Sequence, residues 1–425
     1  MTHSARLLQS ILRNALARAV CSLIPMCALL MMGSSFSRAQ TFTVLHSFTG
    51  AADGSVPAGS LTLDAQGNLY GTASAGGHNG NGCASFGFPG CGTVFKLTRR
   101  SGGWIFSPLY QFQGGSDGET PYSGVAIGPN GTLYGTTSLG GTFGYGTVYN
   151  LQPPARAVGN ALGRWSEQMV HTFEGGLDGA YPIFGTVVFD SSGSMYGTTE
   201  LGGYECVDGG SCGTVFKLSQ SGDDWTGAYF QFMGGADGGN PEAGVVLDAA
   251  GNLYGVTGIG DFDPVVYQLT PSGSGWTETP LYDLGGSSDP LGGVILDGAA
   301  GLYGTDVSGP VYQLSPSGGS WIYTLLHRFS GSSGPWSGVV RDASGNLYGT
   351  TCADGTHGHG SVFKLTPSGG GWTETDLYDF TGGSDGDCPI GGIARDSSGN
   401  LFGTTMDGGS GCGVNGCGVI WEITP

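Results

Sequence analysis

Short runs that alternate apolar or aromatic residues with small polar ones recur along this chain, each bounded by glycine. The most regular run reads GNLYGT (67–72), GTLYGT (131–136), GSMYGT (193–198), GNLYGV (251–256), GLYGT (301–305), GNLYGT (345–350) and GNLFGT (399–404). A period of two in aromatic and β-branched residues predicts half-buried strands, not helices. The glycine after the aromatic falls at 71, 135, 197, 255, 304, 349 and 403, so the copies lie 45–64 residues apart. That spacing is too long for a solenoid coil and fits a four-stranded propeller blade with variable loops.

Four strands can be laid out in each unit. Strand A is an apolar run such as GTVVFD (185–190) or GVVLD (244–248), and strand B is the LYGTT phrase. Strand C is GTVFKL (92–97 and 213–218) or a variant such as GTVYNL (146–151) or GVIWEI (418–423). Strand D begins near Trp104, Trp165, Trp225, Trp276, Trp321 or Trp372 and ends in a phrase such as LYQF, VHTF or LYDF. The seventh strand C has no strand D after it. TFTVLHSF (41–48) has the ending of a D strand and no A, B or C before it. The expected fold is therefore all-β: one seven-bladed β-propeller over residues 40–425, closed by 41–48 completing the last blade.

Asp-x-x-Gly stands between A and B in most copies, at Asp64/Gly67, Asp190/Gly193, Asp248/Gly251, Asp342/Gly345 and Asp396/Gly399. A carboxylate there can accept turn amides, and glycine permits positive φ at the corner. These aspartates read as turn residues.

Composition narrows the setting. Glycine supplies 86 of 425 residues without a three-residue period, which excludes collagen, and 39% hydrophobic residues argue against disorder. Residues 1–39 read as a signal peptide: Arg6, Arg13 and Arg18 precede CSLIPMCALLMMG, and Ser37-Arg38-Ala39 offers small residues for cleavage. No later segment is long and apolar, so a secreted, soluble monomer without a membrane span is expected, extracellular or periplasmic. Setting aside that segment's four arginines leaves ten basic residues against 33 acidic ones. Nothing on such a chain neutralises phosphate, so nucleic acid is not an expected partner.

The combined pattern, for example MYGTTELGG…CGTVFKLS (195–219), resembles the GloVer-type tandem repeat of "choice-of-anchor" bacterial secreted proteins. The likeness covers nearly all of residues 40–425. It implies an exported repeat protein and supplies no catalytic motif. Copies four and five, LYGVTGIGDFDPVVYQLT and LYGTDVSGPVYQLS, have lost much of the glycine-rich loop.

In a four-stranded meander the D–A and B–C connections share one face, here called the top, and the irregular insertions fall there. Variable loops on a rigid scaffold are where function concentrates. Asp53, Asp117, Asp178, Asp237, Asp289 and Asp385 recur in the D–A loops. They either cap their own turns or form a ring able to hold calcium, which takes several oxygens. Cysteine spacing pairs Cys83–Cys91, Cys206–Cys212 and Cys412–Cys417 within B–C loops, and Cys352–Cys388 between neighbouring blades. Zinc is the competing reading. His357 and His359 alternate in one glycine loop and are weak metal candidates. No nucleophile elbow, phosphate loop, zinc-protease helix or dinucleotide fingerprint occurs. Glu200 and Asp306 replace Ser74 and Ser138 at the strand-B exit, with Asp407 one residue further, so they are the first candidates for catalytic acids. Trp336 could stack a sugar or peptide. The expected function is non-catalytic binding of an extracellular glycan or protein by top-face loops. The alternatives are a polysaccharide hydrolase or lyase, and a structural cell-surface protein.

Overall fold

Strand B is built around a residue with no side chain. In every copy the glycine of LYGT lies directly opposite the aromatic of strand C: Gly71 faces Phe95, Gly135 Tyr149, Gly197 Phe216, Gly255 Tyr267, Gly304 Tyr312, Gly349 Phe363 and Gly403 Trp421. A Cβ at any of these glycines would overlap the facing ring. The ring thus lies flat across its own sheet, and its outer face is left to pack against the neighbouring blade.

The computed structural model describes residues 40–425 except 79–82, 86, 155–163, 208, 259–262, 287, 299–300 and 414. The expected signal peptide, residues 1–39, lies outside the described residues. Phe42–Thr424 form one compact unit of seven four-stranded antiparallel sheets arranged as blades, a β-propeller. Blade 1 comprises Thr62–Leu63 (A), Leu69–Ala73 (B), Thr93–Arg100 (C) and Gly103–Gln111 (D). Blades 2 to 6 repeat the order. Blade 7 takes A, B and C from Ala394–Arg395, Leu401–Thr405 and Val419–Thr424, and its D strand is Thr41–Ser47. The expected closure is therefore present, and it removes the exposed edge an open array would carry. No helix among the described residues is long and apolar enough to cross a membrane.

The core is distributed as layers between blades. Phe363 of blade 6 packs with Tyr303, Val311 and Phe329 of blade 5, and Phe95 of blade 1 packs with Phe48 and Ile420 of blade 7. The threonine after the LYG glycine reaches across the same interfaces. Thr72 donates to the Ser123 carbonyl (2.7 Å), Thr198 to that of Ala243 (2.8 Å) and Thr305 to that of Ser337 (3.0 Å), each in the next blade.

Strand A is shorter than its apolar run implies. Only Val188–Phe189 of 185–190 and Val246–Leu247 of 244–248 pair as strand. The residues before them turn onto the axis, where a Cβ on Gly185 would overlap the Gly244 backbone. At the opposite end, the Asp-x-x-Gly corners behave as turn chemistry requires. Asp64 accepts the amides of Gln66 (2.9 Å) and Asn68 (2.8 Å), the Asn68 side chain and the Tyr70 hydroxyl, while Gly67 sits at φ 77°. Burial alone would raise the Asp64 carboxyl, but these donors hold it below its ordinary value.

Replacing Gly349 by Ala is expected to cost roughly 1–3 kcal/mol through overpacking against Phe363, read as a lower denaturant midpoint. Adding Phe363→Leu should recover part of that loss. Strictly additive losses would show that the ring and the glycine are not coupled.

Candidate functional site

The D–A aspartates Asp53, Asp117, Asp178, Asp237 and Asp385 of the top face are bonded into their own turns. Asp53 accepts the Thr49 amide (2.9 Å) and lies 3.1 Å from His46 Nε2. Asp117 accepts the Tyr110 hydroxyl and the Gln113 amide, both at 2.6 Å. Asp178 repeats the arrangement with His171 and Glu174, and Asp385 with Tyr378 and Thr381. Burial acts to raise the carboxyls of Asp53, Asp178 and Asp385, yet their donors hold all three below the ordinary value. Asp237 accepts the Met233 amide (2.8 Å), but Phe230 stands where other blades have His or Tyr, and burial raises its carboxyl. Among the described residues, one group of three has ligand atoms close enough for a single metal ion, Cys83, Cys91 and Glu119, and there the cysteines form a disulfide. The six aspartates offer no converging set for calcium.

The loops are clamped to one another through strained backbone. Val56, Thr120, Tyr181, Asn240 and Cys388 each precede a proline and take φ between 51° and 57°, a region costly for β-branched side chains. Both peptide groups of each such residue are used. The Val56 amide donates to the Cys417 carbonyl (3.0 Å), and the Val56 carbonyl accepts the Ser74 amide (3.0 Å). Disulfides join Cys83–Cys91, Cys206–Cys212, Cys352–Cys388 and Cys412–Cys417, the pairs expected from spacing. Cys352–Cys388 ties blade 6 to the loop entering blade 7.

The residues that break the repeat gather in two places. On blades 3 to 5, Glu200, Glu242 and Asp289 form an acidic arc leading to Asp306. Burial raises the Glu200 carboxyl. Burial pushes Glu242 up to about 8, with Glu200 and Asp289 adding to the effect. Burial and then Asp306 raise Asp289, while Asp306 itself is buried and accepts the Ser308 amide at 2.7 Å. On blades 6 and 7, His359 Nδ1 lies 3.0 Å from Asp387 Oδ2, and Asp387 and Asp407 exchange backbone hydrogen bonds (2.9 and 3.1 Å). Burial, then the Asp387 charge, raises Asp407. His357 is exposed and contributes to neither group.

Trp336 does not stand on the outer loops. It lines the axial channel, a cavity of about 230 Å³ shared with Phe184, Leu291 and Ile390, and its Nε1 donates to Ser333 Oγ (2.6 Å). The reason is positional: Trp336 is the residue after the D–A proline, and in each blade the chain turns from that proline toward the axis.

Comparison with known proteins accords with this architecture. The profile of the Gloeobacter/Verrucomicrobia repeat matches residues 33–159, 83–310 and 304–425. The chain belongs to that family. No curated protein matches the sequence. Solved structures similar to this Gloeobacter/Verrucomicrobia repeat protein share its fold at low identity. The extracellular domain of a provisionally assigned one-component system from B. thetaiotaomicron is 12% identical (TM-score 0.53), covering 90% of this chain and 40% of that one. A provisionally assigned 6-phosphogluconolactonase from Bacteroides uniformis is 13% identical (TM-score 0.49, 75% of this chain and 83% of that one). A gluconolactonase from Xanthomonas campestris is 12% identical (TM-score 0.42, 91% and 90%). The first of these, with a TM-score above 0.5, shows the fold alone.

In this repeat protein, Glu242 and Asp387 are the acids that sequence reasoning passed over. Glu242 occupies the position after the D–A proline, where the other copies have Ala58, Tyr122, Ile183, Leu291, Trp336 and Ile390. Comparing that column across copies would have exposed it.

Glu242 also sets a pH dependence. Its folded-state value of about 8 lies above the ordinary carboxyl value of 4.5, so the folded protein holds the extra proton between those limits. Stability from this group is fully present below the lower limit and is lost as pH rises through the upper one. Melting temperature is expected to fall from pH 5 to 8, and Glu242→Gln should flatten that fall. An unchanged pH slope in the variant would remove Glu242 as the cause.

Proposed function

We propose that this is an exported, non-catalytic β-propeller whose top face docks a basic polypeptide outside the cell. The observation that carries the reading is an apolar, acid-rimmed surface on the loops of blades 2 to 4. Phe143, Tyr145, Leu177, Tyr204, Val207 and Met233 are 37–67% exposed there, whereas the other large exposed apolar side chains, Ile105, Met169, Ile322 and Leu325, lie on outer strands. Contacts between the loops hold the six together. Tyr145 stands against Gly175 and edge-on to Tyr181 (5.9 Å), Gly203 N donates to Gly176 O (2.8 Å), and Val207 N donates to Met233 O (3.1 Å). Contiguous exposed apolar surface rimmed by polar groups marks interaction sites.

Charge gives the partner its sign. Lys96, Arg99, Arg100, Lys217, Arg341, Lys364 and Arg395 lie toward the A–B and C–D ends of their blades, where several sit over tyrosine or tryptophan rings. The loops at 138–147, 173–187, 200–214 and 232–245 contain no Lys or Arg, and the last three carry acids. A polypeptide bearing Lys or Arg beside apolar anchors complements both features. Four disulfides support an oxidising compartment outside the cytoplasm.

One observation favours a second reading. Glu242, protonated near neutral pH beside Glu200, has the properties of a general acid for glycoside hydrolysis. That reading requires turnover of a polysaccharide that Glu242→Gln abolishes.

The docking reading is tested with a basic amphipathic peptide and a panel of neutral glycans. The peptide is expected to bind, more weakly as salt rises. The double substitution Tyr204→Ala and Val207→Ala should weaken it by about tenfold or more, as truncation of central apolar anchors does. Neutral-glycan binding without peptide binding would overturn the reading.

A further inference from the structure

A pocket of about 230 Å³ opens between blades 4 and 5, away from the apolar docking surface. It exists because blade 5 has dispensed with the long B–C loop. The chain turns at once from strand B to strand C, with Asp306 N donating to Pro310 O (3.0 Å) and Gly309 N to Asp306 O (2.9 Å). The space that a glycine-rich loop would cover is left open.

Three tyrosines form one wall. Tyr323 stacks on Tyr282 (5.4 Å between centroids) and on Tyr312 (5.2 Å). The Tyr312 ring is 1% exposed, and its hydroxyl has no hydrogen-bond partner among the described residues. Tyr149 and Tyr267 at the same position have equally unpartnered hydroxyls, and all three lie against the facing strand-B glycine, so this hydroxyl belongs to the repeated scaffold and it is the ring that serves the pocket. Asp306 is 2% exposed and also lines the pocket. It accepts the Ser308 amide and forms no ion pair among the described residues. Arg328 lines the mouth and is itself exposed.

A buried carboxylate without a cation is expensive, and a ligand that supplies one is favoured for that reason. An ammonium group brings one positive charge and several N–H donors. Those donors match the Asp306 carboxylate, and the aromatic wall adds attraction for a cation. The volume limits the ligand to a small molecule. We propose that this pocket binds a small primary amine, with its ammonium group on Asp306 and against the tyrosine wall.

Putrescine and glucosamine, each paired with its neutral counterpart (1,4-butanediol and glucose), test the assignment by calorimetry on the intact chain. At least one amine is expected to bind tenfold or more tightly than its counterpart. Asp306→Asn should bring that ratio close to one. Tyr323→Leu, which removes the central ring of the wall, should weaken the amine severalfold. Equal binding of amine and neutral counterpart would overturn the proposal. So would unchanged amine binding by the Asp306→Asn or Tyr323→Leu protein, or no binding of either amine at millimolar concentration.

Discussion

The propeller rests on a contact between an aromatic ring and a glycine. Each strand-B glycine gives up its side chain so that the opposing Phe, Tyr or Trp of strand C can lie across the sheet. Burying a ring of that size is worth about 2–3 kcal/mol in transfer free energy. The gain is realised only if the next blade covers the ring's other face. Blades therefore depend on their neighbours, and the ring must close. Strand Thr41–Ser47 meets that requirement by joining the last blade, where Phe42 stacks on Tyr378 at 3.7 Å and lies near Trp421.

Much of this was legible in the sequence because the fold repeats its own chemistry. Seven copies of one phrase gave the blade count, the orphan D strand at 41–48 gave the closure, and cysteine spacing gave the disulfide pairs. The role of the LYG glycine was harder to read. Its partner lies on another strand 8 to 24 residues away, and only strand register brings Gly71 onto Phe95 or Gly349 onto Phe363. The strained residues before proline were hidden for a related reason. Val56 and Thr120 are poor choices for positive φ, and nothing local predicts that loop-to-loop hydrogen bonds will hold them there.

The candidate sites divide along the same line. Residues that recur are held by local bonds, as Asp53, Asp117, Asp178 and Asp385 are. Residues that depart from the repeat are where burial and charge are not locally balanced, as at Glu242 and Asp306. Departures visible within one column, such as Glu200 or Trp336, could be found from sequence. Their company could not, since Glu200 meets Glu242, and His359 meets Asp387, only through the arrangement of loops at the top face. Trp336 shows the limit plainly: its loop was identified, but the turn toward the axis was not.

The central claim is that the top face is the working face and the rest of the propeller is scaffold. Hydroxyl-radical footprinting of the protein with a bound basic peptide tests it directly. Protection confined to the loops at 138–147, 173–187, 200–214 and 232–245 is the expected result. Protection centred on the A–B corners, such as 64–68 or 342–346, would contradict it.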